Sequence, residues 1–183
     1  MNLLMPAQAG AQLVSLVVFA SIARWYVAPW LTSRGRADAL VALLWVHVFR
    51  YVALQVFAAQ GDGFPISDKG AIDIVVGDVA GAVMAYVAIV LLRNRSRLAL
   101  PLIWLLTLET IYDTVSNVHG GVTEHLMGAA RGVTWLILVF FVPVVVISVG
   151  LIVWQLLARR SEALDERSSE LQRERRRTAL SAS

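Results

Sequence analysis

Apolar residues run through this chain in blocks too long for half-buried strands and too continuous for the one-sided stripe of a surface helix. Residues 1–23 and 132–158 carry no charged side chain. At ~1.5 Å per helical residue, either block crosses a bilayer core of ~30 Å. Three further blocks lie between them, each with charge toward its middle: 39–60 with Arg50, 72–92 with Asp78, and 98–118 with Glu109 and Asp113. The pattern predicts an all-α, polytopic membrane protein. Its bundle of five transmembrane helices is expected at about 10–31, 38–60, 71–93, 98–118 and 131–158. Residues 1–158 then form the bundle, and 159–183 a charged tail that begins as a helical extension and ends disordered.

Composition agrees. Hydrophobic residues make up 58% and charged residues 16%, against roughly 45–50% and about 25% in soluble domains. That balance excludes a disordered chain and disfavours a soluble one. The absence of Cys removes disulfides, thiolate metal sites and iron–sulfur clusters.

Charge position sets the orientation. With the N-terminus outside, the inner loops and tail hold 12 of the 16 basic residues, and the outer loops hold only Lys69 and Arg131. Such segregation is the positive-inside pattern of a bacterial-type cytoplasmic (inner) membrane, with a cytoplasmic C-terminus. The start lacks a basic region and is read as the first span, not a signal peptide. Trp25, Tyr26 and Trp30 flank Arg24 where an interfacial aromatic belt belongs. Pro143, deep inside the fifth span, predicts a kink or a neighbour that satisfies the freed carbonyl.

Charges within spans are expensive, about 2.5–3.5 kcal/mol each at the helix centre, so they face the bundle interior and pair. Glu109, Tyr112, Asp113, Ser116 and Asn117 recur with helical spacing as a polar stripe. His47, Arg50 and Tyr51 share a face on the second span. Gly77, Gly81 and Ala85 form a small-xxx-small packing face that places the adjacent Asp78 at a helix seam. One arginine against three carboxylates leaves two net negative charges with His47 neutral. Protons, a protonated His47 or a bound cation must balance them. His47, Arg50, Tyr51, Asp78, Glu109, Tyr112, Asp113 and Asn117 are therefore the candidate ligand- or cation-binding residues. In the purely structural alternative, Arg50 pairs with Glu109 or Asp113 and Asp78 with His47, only to lock helix registry.

Other chemistry is thin. His119, Glu124 and His125, expected on an outer loop, are weak metal candidates whose spacing matches no motif. No cofactor is predicted: His47 is the sole intramembrane histidine, and no nucleotide or hydrolase fingerprint occurs. The tail's Arg173, Arg175, Arg176 and Arg177 suit anionic lipid, at ~1 kcal/mol each near the surface. The partners expected are the bilayer and a second copy or partner subunit, not nucleic acid.

Three functions follow in order. The first is an outward-facing polar pocket for a small ligand or cation, with Arg50 as anchor, Glu109 and Asp113 as carboxylates and His47 as a titratable relay. The second is a non-catalytic accessory or assembly subunit, whose hetero-complex would be lost on Gly81→Leu and keep with Glu109→Gln. The third is an intramembrane enzyme on an apolar lipid or isoprenoid, with a largely apolar pocket open to lipid.

Overall fold

The computed structural model describes residues 4–126, 128–160 and 162; the tail residues assigned to lipid contact lie outside them. Five long helices alternate in direction: α1, Met5–Thr32; α2, Arg36–Gly61; α3, Asp68–Arg93; α4, Ala99–Thr123; and α5, Gly132–Ala158. Among the described residues there is no strand. α1, α2, α3 and α5 are long and apolar enough to cross a membrane. α4 has 25 residues, but Glu109, Asp113 and Asn117 dilute its apolar character.

Two boundaries differ most from expectation. α1 begins before residue 10, and α4 continues past 118, so His119 is helical and not in a loop. Gly120 and Gly121 do not end α4, because an interior glycine costs only ~1 kcal/mol. The stop comes at His125, whose φ of 57° lets Leu126 N–H bond the Gly121 carbonyl and His125 N–H the Val122 carbonyl. α3 ends in the same way at Arg95 and α2 at Gly63.

The bundle has two unlike halves. Toward the arginine-bearing end, Leu40, Leu44, Ala85, Ala88, Ile103, Leu106 and Ile152 from four helices pack into one closed core. Arg36 and Arg159 fasten that end. Arg36, expected in a loop, is instead the buried first residue of α2 and donates to the Leu156 carbonyl of α5 at 3.1 Å. Arg159 donates to the Leu31 and Arg34 carbonyls at 3.1 and 2.8 Å. Cations satisfying the last carbonyls of helices are favoured by both hydrogen bonding and the helix dipole. At the far end, Ser67 caps α3 by accepting from Gly70 N–H. Its own N–H and hydroxyl donate to Glu124 at 2.8 Å each, tying α3 to the end of α4.

Proline governs how α1 meets α5. In both helices a π turn, Ala23–Val27 and Ile137–Phe141, ends two residues before a proline, Pro29 and Pro143. Widening the turn relieves the clash between the proline ring and the preceding carbonyls. In α5, Val142 N–H bonds Ile137, and residue 143 has no N–H, so the Leu138 carbonyl loses its helical donor. Gln12 of α1 supplies one, its Nε2 lying 3.1 Å from that oxygen. An edge-to-face contact between Phe19 and Phe140 lies beside it. The neighbour anticipated for Pro143 is therefore Gln12.

Gln12→Leu should lower stability by about 0.5–2 kcal/mol, read from unfolding of the purified protein. In a Pro143→Ala background, which restores the N–H, the same substitution should cost close to nothing. Glu124 yields a pH prediction. The two Ser67 donors hold its carboxyl below the ordinary 4.5. Its stabilising contribution is thus complete above that value and lost as pH falls through the lowered one. The stability gap between wild type and Glu124→Ala should be constant near neutrality and close below about pH 4.5.

Candidate functional site

α2 changes winding where the two halves of the bundle meet. Phe49–Leu54 forms a 3-10 turn within the helix, and Arg50 stands on it, 2% exposed. Its guanidinium reaches between α3 and α4 and spends every N–H there. Nε donates to Asp78 Oδ1 at 2.8 Å. Nη1 donates to Glu109 Oε2 and Thr110 Oγ1, both at 2.8 Å. Nη2 donates to Asp113 Oδ2 at 2.8 Å and Glu109 Oε1 at 3.3 Å. Five donors meet five acceptor contacts, so the planar fork is saturated within the protein.

The glycines make room for this. A Cβ built on Gly81 would stand 2.6 Å from Arg50 Cζ, and one on Gly77 would stand 2.9 Å from Asp113 Cγ. Ala85, the third member of the small-residue face, packs in the apolar core. The face read from the sequence as a backbone seam therefore serves, at Gly77 and Gly81, as the recess that admits the charged cluster.

The candidates divide. Arg50, Asp78, Glu109 and Asp113 converge, and Asn117 joins them by donating to Asp113 Oδ2 at 3.1 Å. Tyr112 is 75% exposed and Tyr51 48% exposed, both directed away from the cluster. The 3-10 winding explains Tyr51, because the i, i+4 relation to His47 holds only in an α-helix. His47 does not meet Asp78. It is wholly buried against α5, where Nε2 lies 2.9 Å from Ser148 Oγ. Ser148 donates to the Val145 carbonyl, so His47 donates to Ser148, and its Nδ1 has no partner among the described residues.

Sequence reasoning missed Thr110, which is 1% exposed. An uncharged threonine in an apolar span draws no notice. Its spacing from Asp113 and Asn117, i, i+3 and i+7, would have placed it on their face. The inward face of α4 is centred on Thr110 and Asp113, not on Tyr112.

Above this cluster, toward the far end, lies a cavity of about 540 Å³. Arg50, Asp78 and Asp113 form its charged floor. Its walls are largely apolar, with Val52 and Val56 of α2, Ile74 of α3, and Ile137, Phe141 and Val145 of α5. Gln8 and Gln12 of α1, also unmarked in the sequence reading, close one side. His119 and Glu124 line the rim, and Glu124 is occupied by Ser67. Among the described residues no three His, Asp or Glu side chains are grouped to hold a metal ion.

Arg50→Leu strands one buried and two partly buried carboxylates and should destabilise by about 3–5 kcal/mol. Asp78→Asn should cost less, since the amide oxygen still accepts from Nε. Gly81→Ala should approach the Arg50→Leu loss, because the guanidinium is held on all sides. Unfolding of the three variants in one detergent checks the order.

No curated protein and no solved structure matches this chain. A family match covers residues 8–157, which takes in nearly all of the five-helix bundle: the chain belongs to the family described as Domain of unknown function (DUF8737).

Proposed function

We propose that this is a small integral membrane protein of five spans that binds a small ligand or cation in the cavity above Arg50. The observation that carries the reading is the cavity's floor. Asp78 and Asp113 are held in place by a saturated arginine, yet each keeps one carboxylate oxygen without a hydrogen-bond donor among the described residues. Intramembrane ionisable groups facing a cavity mark binding sites and ion paths, and pockets of about 300–1,000 Å³ with apolar walls and few polar groups hold small ligands.

In this reading α4 also crosses the membrane and brings the spans to five, its polar face covered by α2 and α3. The N-terminus lies outside and the C-terminus in the cytoplasm of a bacterial-type cell, because Arg34, Arg36, Arg93, Arg95, Arg97, Arg159 and Arg160 gather at one end of the bundle. The cavity then opens toward the outer face. Arg50 organises the carboxylates and does not itself hold an anion.

Since the chain has no cysteine, single cysteines report directly. A cysteine at Asp62 should react with an impermeant maleimide on intact cells, and one at Ser33 only after permeabilisation. Gently purified protein should retain a small molecule or cation by native mass spectrometry, and Val142→Trp, which fills the cavity from α5, should not. Equal spectra for the two proteins, with nothing retained by either, would sink the reading.

A further inference from the structure

Resting on that reading of the cavity, we infer that its ligand is an organic cation with an apolar body and a hydrogen-bond acceptor. Three observations converge on this chemistry, beginning with what the cavity wall has left to offer. Most of its polar groups are already engaged. Gln12 donates to Leu138, Gln55 and Thr134 bond each other, Asn117 donates to Asp113, Lys69 pairs with Asp73, and Glu124 accepts from Ser67. An anion entering here finds no guanidinium N–H, because all five are spent on Asp78, Glu109, Asp113 and Thr110.

Besides the hydroxyls of Thr114 and Ser116 and the His119 ring, what remains is charged. Asp78 lines the cavity and keeps one oxygen that accepts nothing among the described residues, while Asp113 Oδ1 lies against Gly77, in a cluster with one guanidinium and three carboxylates. Positive charge is what that floor lacks. The second observation is Gln8. It is 3% exposed and lines the cavity. Its Oε1 accepts from Gly128 N–H at 3.1 Å, which commits its Nε2 to the donor side. That amide belongs to a cavity-lining side chain and is the group Gln8 can offer to an acceptor on the ligand.

The third is size and lining. A cavity of about 540 Å³ walled by Val56, Ile74, Phe141 and Val145 is far larger than a bare ion requires. It also lacks the cage of oxygen ligands that a metal cation needs, typically six to eight for calcium. Its apolar surface suits a hydrocarbon or aromatic body, with the cationic group at the floor and the acceptor near α1.

The test uses benzoylcholine, which carries a fixed positive charge, an ester carbonyl and a phenyl ring. Its neutral carbon isostere, 3,3-dimethylbutyl benzoate, is the comparison. Both are titrated by calorimetry into the full chain in an uncharged detergent. Benzoylcholine should bind at least tenfold more tightly than the isostere. Asp113→Asn and Asp78→Asn should each erase that preference, and Gln8→Leu should weaken both compounds alike. Val142→Trp leaves the charged floor untouched and should abolish both, so the expectation stands even if one amide variant fails to fold. Equal affinity for the two compounds overturns the cation inference and leaves the cavity a binding site. Binding of neither overturns the inference and the binding-site reading together.

Discussion

An arginine enclosed among helices must satisfy five N–H groups without water, and most of this bundle's middle layer answers to that demand. Asp78, Glu109, Thr110 and Asp113 accept from Arg50 out of two different helices, which fixes the register of α2 against α3 and α4 at once. Bringing three helices close enough requires positions without side chains, met by Gly77 and Gly81. Presenting Arg50 at that height requires the locally tightened turn of α2. Removing the cluster would leave a fold with no evident reason for those glycines or that turn.

A buried ion cluster is weak evidence for stability, because desolvation offsets much of its attraction. The packed half of the bundle supplies the apolar burial that such a cluster needs nearby. Leu40, Leu44, Ile103 and Leu106 are wholly buried within about three turns below the Arg50 layer, on the same helices. The apolar core and the charged layer are thus consecutive levels of one stack, the first stabilising the backbone positions that the second uses.

Much of this was legible in the sequence, for identifiable reasons. Long uncharged runs can be little else than apolar helices, and charges inside such runs must converge, so Arg50, Asp78, Glu109 and Asp113 were found by their cost alone. Pro143 announced an unpaired carbonyl. Side-chain direction was harder to read. Tyr51 was placed by α-helical arithmetic on a segment that winds as 3-10, and Tyr112 by a stripe centred on the wrong residue. His47 was assigned to the charged cluster because both lie at one depth, yet α2 is flanked by α5 on one side and by α3 and α4 on the other. Depth is a one-dimensional quantity that sequence supplies; which neighbour a face meets is not. Gln8, Gln12 and Thr110 are neutral, and neutral polar residues do not stand out by cost.

The closed core at the arginine end has a consequence for traffic. Side chains from four helices fill the cross-section there, with Ala85, Ala88 and Ile152 completing the layer. Toward that end the cavity therefore meets packed apolar side chains. On the binding reading proposed above, a solute at Asp78 and Asp113 leaves by the route it entered, unless an entire layer of leucine and isoleucine repacks. That reading makes the site a receptacle, not a conduit, with no helix required to move.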